Sequence, residues 1–103
     1  METILTTYTQ YCAFCGKPTE NEHHLLFGKG IRPLAEADGI KLPICARCHT
    51  YGNVTERIHD NVMAEKLSKI CGQLAWEKRK VSEGFSEEKA RELFRYRYGR
   101  SYL

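Results

Sequence analysis

A small α+β fold, with short strands ahead of long helices, is what this sequence predicts, and three observations predict it. Two Cys-x-x-Cys pairs, Cys12/Cys15 and Cys45/Cys48, flank a tandem histidine, His23-His24. The segment around that tandem, Thr19 to Phe27, reads as short and extended, bounded by Pro18 and by Gly28-Lys-Gly30. Beyond Asn61 apolar residues recur at three- and four-residue steps, the period of a helix. All four histidines and four of the five cysteines lie between Tyr11 and Asn61, so the chemistry-bearing residues share one part of the chain.

Taken in order, Glu2 to Tyr11 is rich in Thr, Tyr and Ile and reads as an extended strand. Cys12-Ala-Phe-Cys15-Gly-Lys-Pro reads as a tight knuckle in which Gly16 takes a positive φ and Pro18 ends the turn. Thr19 to Phe27 is expected to be extended. Gly28-Lys-Gly30 and Pro33 mark an irregular loop, and Leu34 to Asp38 one helical turn stopped by Gly39. Ile40 to Ile44 reads as a second short strand leading into the knuckle Cys45-Ala-Arg-Cys48. Gly52-Asn53 interrupts regular structure before a long helix. That helix is expected to begin between Val54 and Asp60 and to run to about Lys80. Val62, Met63, Leu67, Ile70, Cys71 and Leu74 form its apolar stripe, which is expected to face the core with Cys71 as a buried thiol. Val81 to Gly84 is a hinge. Ser86 is the expected N-cap of a last helix, with Glu87 and Glu88 in its first turn, Ala90, Leu93 and Phe94 inward, and Gly99 as its stop. There is no internal repeat. The expected organisation is one domain over residues 1–103, with a core over about 11–61 and a helical part over about 62–103.

A chain of 103 residues buries a modest core, which a structural metal would supplement. Sixteen Lys and Arg against thirteen Asp and Glu, a net charge of +3, permits a nucleic-acid partner without establishing one. No apolar run reaches the roughly 18 residues of a membrane span. The first residues lack the basic region and apolar stretch of a signal peptide, so the expected location is cytoplasmic. Thiols stay reduced there, which makes paired cysteines metal ligands before disulfides.

Structural zinc takes four ligands in a tetrahedron, and each Cys-x-x-Cys turn supplies two of them. Cys12, Cys15, Cys45 and Cys48 together complete one shell. The bland alternatives are thiols that only pack or a redox pair, and no thioredoxin-like strand–helix context surrounds either pair. The long insert between the two pairs carries the histidines. A tandem pair on a strand sends its rings to opposite faces, so one imidazole can hold a metal while the other faces a water. Metal-assisted phosphodiester cleavage needs that division of labour. His49 and His59 are candidates to complete the metal shell. The alternatives are histidines with structural roles only, or one that takes a place in the zinc site.

Glu22-His23-His24-Leu25-Leu26, followed by Leu42-Pro-Ile-Cys45-Ala-Arg-Cys48-His49, resembles the HNH, or His-Me finger, endonucleases. The likeness is strongest to zinc-containing phage members, including recombination-enhancing nucleases and junction-resolving endonucleases. It covers His23 to Asn61, about half the chain, and extends more loosely to Ala75-Trp76-Glu77, Phe85-Ser-Glu-Glu and Tyr98-Gly-Arg-Ser-Tyr-Leu103. The resemblance implies a zinc-stabilised ββα-metal core and a metal-dependent DNA endonuclease acting in phage DNA processing or recombination. It makes His24 the general base, His23 and His49 metal ligands, and His59 a further ligand or a phosphate contact. The implied cofactors are a structural Zn²⁺ and a divalent ion (Mg²⁺, Mn²⁺ or Zn²⁺) at the histidines. The implied partners are DNA and a recombinase or other phage DNA-processing protein. Two positions depart from the family. Ile40 stands where many members carry an Asn that orients the base, and Asn53 falls where the last metal ligand is usual. A weak or inactive DNA-binding accessory protein is therefore the alternative reading.

Lys29 and Arg32 lie in the loop between the expected metal strands, where a phosphate would dock; a solvated loop is the plain alternative. Arg95 and Arg97, with Arg91 and Arg100 and interleaved by Tyr96, Tyr98 and Tyr102, form a second candidate for gripping a backbone and stacking on bases. The plain alternative is a solvated basic helix face whose tyrosines cover the core.

Overall fold

The computed structural model describes residues 1–103. Its regular elements run β1 (Asn21–His24), α1 (Arg32–Asp38), β2 (Lys41–Ile44), a π-helical turn (Arg47–Tyr51), α2 (Val62–Ser82) and α3 (Glu87–Tyr98). β1 and β2 pair antiparallel, with His23 opposite Leu42 and His24 opposite Lys41. Each has only one neighbour, which is why Pro43 is tolerated: a missing ladder donor costs little on an edge. Pro33 sits in the first turn of α1, where its absent N–H is not needed. Gly39 closes that helix in the left-handed conformation (φ 70°), and the Ile40 N–H returns to the Ala35 carbonyl at 2.9 Å.

Two clusters make up the interior. The larger holds Leu25, Leu26, Ala35, Ile40, Trp76, Phe94 and Tyr98, bringing both strand ends, α1, α2 and α3 together. The smaller consists of Cys12, Ile44, Cys45, Cys48 and Ile58. Asp38, at the end of α1, joins three helices. It accepts hydrogen bonds from Trp76 Nε1 (3.0 Å), the Tyr98 hydroxyl (2.6 Å) and the Arg97 guanidinium (2.6 and 2.8 Å).

Three expectations are corrected. Residues 2–11 form no strand; only Tyr11 makes an isolated bridge, to Pro18. The segment is instead tied locally, the Ile4 N–H to the Gly39 carbonyl and the Thr19 N–H to the Gln10 carbonyl, both at 3.0 Å. The long helix starts later than expected, at Val62, because Asn61 caps it by accepting from the Ala64 N–H, and residues before it are turns. Its apolar stripe does not face the core. Met63 is 72 % exposed, and Val62, Leu67, Cys71 and Leu74 are exposed too. The buried face carries Ser68, Gly72, Gln73, Trp76 and Glu77.

That polar face is stable because each group has a partner. Gln73 donates to Glu77 (2.7 Å) and Ser101 (2.9 Å) and accepts from the Tyr102 N–H (2.7 Å), while Arg91 donates to Glu77 at 2.7 Å. Gly72 is required by the approach of α2 to β1: a Cβ there would lie 2.9 Å from Leu26 Cγ and 3.0 Å from Leu25 Cβ. Gly72→Ala is therefore expected to destabilise the protein by about 1–3 kcal/mol through overpacking. That outweighs the gain in helix propensity of roughly 1 kcal/mol. A chemical denaturation midpoint measured on both proteins checks it, and an equal or higher midpoint for the variant refutes it. The last helix follows expectation. The Ser86 side chain accepts from the Lys89 N–H at 3.1 Å, Ala90 and Phe94 are buried, and Gly99 ends the helix at φ 78°.

Candidate metal centres

The first centre is built by two turns. The Cys12 N–H donates to the Lys17 carbonyl and the Gly16 N–H to the Cys12 carbonyl, closing a knuckle around Gly16 (φ 79°). The Ala13 N–H reaches the Pro43 carbonyl at 2.9 Å, which seats this knuckle against β2 and hence beside the second pair. The four sulfurs of Cys12, Cys15, Cys45 and Cys48 lie within 4.8 Å of one another. Cys12 Sγ accepts from the Phe14 N–H and Cys45 Sγ from the Cys48 N–H, contacts that stabilise a thiolate. Burial alone would raise the Cys12 thiol; N–H groups of Cys15, Cys45 and Phe14 outweigh it and bring it down to about 6. Burial and the neighbouring thiols push Cys48 up to about 12, the direction a bound cation reverses. Four converging thiols with no disulfide among them fit a zinc ion.

The second centre assembles from three separate stretches. β1 contributes His23 and the π-helical turn contributes His49. The loop before α2 then folds back on that turn: the Ile58 N–H bonds the Cys48 carbonyl (2.9 Å) and the His59 N–H the His49 carbonyl (3.2 Å). These two bonds bring His59 beside His49, with ring centroids 4.6 Å apart, and both within 5.3 Å of the His23 ring. Asp60, at φ 64°, then reverses the chain into α2 and is held by Arg57 at 3.0 Å. One ring nitrogen from each of the three imidazoles lies within 4.8 Å of the others.

His23 is 1 % exposed, and its Nδ1 is buried with no hydrogen-bond partner in the protein. Burial, then the charges of His59, His49 and His24, lowers His23 to about 3. His49 is lowered by burial and by His59 and His24. A buried imidazole nitrogen with no partner, in a group of three histidines whose ring nitrogens lie within 4.8 Å of one another, fits the donor set a divalent ion takes. An unpaired buried nitrogen otherwise costs about 1–3 kcal/mol.

His24 points to the other side of β1, into a cleft of about 590 Å³ lined also by Asn21, Glu22, Arg32, Glu36 and His49. Burial lowers its ring, as does the Arg32 cation, while Glu36 opposes both. Its Nε2 is buried and 3.6 Å from Glu36 Oε1, just beyond hydrogen-bond length. Glu36 and Glu22 are in turn pinned by Lys41, at 2.5 and 2.6 Å. His24 and His49 thus share one cleft although His23 and His24 face opposite ways. Ile40, where an orienting Asn was looked for, is fully buried in the larger cluster and aims no polar group at the site.

The basic residues divide. Arg32 lines the His24 cleft. Lys29 stands exposed in the Gly28–Gly30 turn, outside that lining. Arg95 lines a separate cleft between α2 and α3 with Leu74, Lys78 and Val81. Arg97 is redirected: its guanidinium forks onto Asp38, so it serves the fold and is not a free phosphate grip. Asn53, at the position of an expected ligand, bonds Thr55 instead. Sequence reasoning missed Glu36, Glu65 and Ser68, which belong to no motif; Ser68 lies 45 residues from His23, whereas Glu65 is only six from His59.

Set against family models, curated proteins and solved structures, the chain matches none. Fold and sites define a small α+β scaffold with a two-stranded sheet, a four-thiol group and a tri-imidazole group, compatible with a zinc-binding ββα-like arrangement. No helix is long and apolar enough to cross a membrane.

Proposed function

We propose that this chain is a metal-dependent DNA endonuclease of the HNH, or His-Me finger, type, acting in phage or prophage DNA processing. The observation that carries the reading is the meeting of His23, His49 and His59 at one point, with His24 opening on the adjoining cleft beside Arg32. Cys12, Cys15, Cys45 and Cys48 would hold a structural zinc, which would fix the two knuckles beside β2 and the π-helical turn that bears His49. His23, His49 and His59 would hold a divalent ion, which would supply a Lewis acid for phosphodiester hydrolysis.

The protein's own groups do the rest. Arg32 pairs with a phosphate oxygen and holds the scissile bond in the cleft. His24, a neutral base in this setting, takes a proton from a water as that water's oxygen bonds to phosphorus. The bond from phosphorus to the leaving sugar oxygen breaks, and that oxygen is protonated from solvent. Glu36, itself paired with Lys41, lies 3.6 Å from His24 Nε2.

The second reading is a zinc-stabilised DNA-binding or recombination accessory protein with little or no turnover. It is favoured by Ile40, which leaves His24 without a full-length hydrogen bond to an orienting group. Incubation of supercoiled plasmid with the protein and Mg²⁺, Mn²⁺, Ni²⁺ or Zn²⁺ in turn separates the two. Open-circle product with at least one ion is the expected result. Retention of DNA with no nicking under any ion favours the accessory protein.

A further inference from the structure

Two side chains of α2, one helical turn apart, settle which nitrogens of the imidazole cluster are free. Ser68 Oγ donates its single proton to the Leu25 carbonyl at 2.9 Å, because a carbonyl only accepts. The same oxygen lies 2.8 Å from His23 Nε2, so it can only accept there, and Nε2 carries the ring proton. His23 Nδ1, buried and unpartnered, is left as a bare lone pair. His59 is fixed in the opposite sense. Its Nδ1 lies 3.3 Å from Glu65 Oε2, a carboxylate that only accepts, so Nδ1 carries a proton and Nε2 is the nitrogen left to bind an ion. Glu65 also accepts from the Asp60 N–H at 3.2 Å, which holds the loop that carries His59.

We propose that Ser68 and Glu65 are positioning residues of a metal site in which His23 binds through Nδ1 and His59 through Nε2, and that this site selects late first-row ions such as Co²⁺, Ni²⁺ and Zn²⁺ over Mg²⁺. The selection follows from the donors. Three neutral imidazoles offer no oxygen and no formal charge, whereas Mg²⁺ takes oxygen ligands and keeps its waters. The nearby carboxylate bonds a ligand's far nitrogen, which makes that ligand more basic and fixes its ring. The exposed part of α2 bears its apolar residues while the polar Ser68 is buried; the contact with His23 gives that inversion a purpose. The proposal rests on reading the three imidazoles as an ion site and does not depend on DNA cleavage.

The test uses the full chain with zinc on the cysteines, titrated with Co²⁺ and followed by visible absorption, with affinity measured against a competing chelator. Long-range ¹H–¹⁵N spectra of the same protein before Co²⁺ addition report the ring tautomers directly. The expected results are one Co²⁺ bound beyond the thiolate-held zinc, no displacement by a large excess of Mg²⁺, and His23 protonated at Nε2 with His59 protonated at Nδ1. Ser68→Ala is expected to weaken Co²⁺ binding about 10–100-fold without loss of the cysteine-bound zinc. Glu65→Leu is expected to act in the same direction, which keeps the test informative where Ser68→Ala does not fold. A His23 protonated at Nδ1, unchanged Co²⁺ affinity in a folded variant, or displacement by Mg²⁺ overturns the proposal. Absence of any second Co²⁺ overturns the ion-site reading itself, a different outcome from binding without the tautomer lock.

Discussion

If the four thiols hold the zinc ion that their geometry fits, its removal is expected to unfold the Tyr11–Asn61 half of the protein. The smaller cluster there has five members, and three of them are the candidate ligands Cys12, Cys45 and Cys48. Its two aliphatic side chains, Ile44 and Ile58, contribute about 1.5–3 kcal/mol each on burial. Ordering each residue of backbone costs about 1–2 kcal/mol, so the pair offsets the ordering of only a handful of residues. Both knuckles, the π-helical turn and the His59 loop depend on this cluster for their places. Structural zinc in small finger peptides contributes roughly 10–16 kcal/mol, a figure comparable to the total stability of a domain. Cys45→Ser or prolonged chelation should therefore abolish the cooperative thermal transition and release one zinc per chain. Cys71→Ser is the control: Cys71 is exposed and outside the thiol group, so this variant should keep both the zinc and the transition. Calorimetry paired with elemental analysis reads the result. A chelated protein that melts like the metal-bound form would show that the thiols only pack.

The parts of this fold that sequence made legible are those fixed by local chemistry. Ser86 and Gly99 bound α3 as expected, Gly39 stops α1, and the two knuckles turn where their glycine and cysteines stand. What sequence did not show depends on partners far along the chain. Periodicity assigned Met63, Leu67 and Leu74 to the core because an apolar stripe ordinarily faces inward. The helix is turned otherwise, because Ser68, Gln73 and Glu77 meet partners at His23, Tyr102 and Arg91 that satisfy them on burial. The threonines and tyrosines of residues 2–11 favour a strand, yet the segment makes only isolated contacts, such as the Ile4 N–H to the Gly39 carbonyl and the Tyr11 bridge to Pro18. Arg97 looked like a free cation only because Asp38 is so distant from it in sequence. At the candidate site, the spacing of Cys and His identified the donors, but the groups that orient them lie on helices with no motif of their own.

His24→Ala is expected to reduce plasmid nicking by about 10²–10⁴-fold, the usual contribution of a positioned base. The reason lies in the separation of roles across β1. His23 turns its ring toward α2 and the other two imidazoles, whereas His24 opens on the cleft with Arg32 and Glu36. Loss of His24 therefore removes a proton acceptor and leaves the tri-imidazole donors in place. Its variant should retain the cysteine-bound zinc and the full Co²⁺ titration. His23→Ala should lose both nicking and the second ion, since it deletes the donor with the buried free lone pair. Arg32→Ala should raise the DNA concentration needed for half-maximal rate more than it lowers the maximal rate, because it removes a phosphate contact and not the base. Single-turnover nicking, ion titration and melting of the three variants together separate these outcomes. If the His24 variant cuts DNA as fast as the parent while still binding both ions, another group takes the proton, and the cleft beside Arg32 is not where the water is activated.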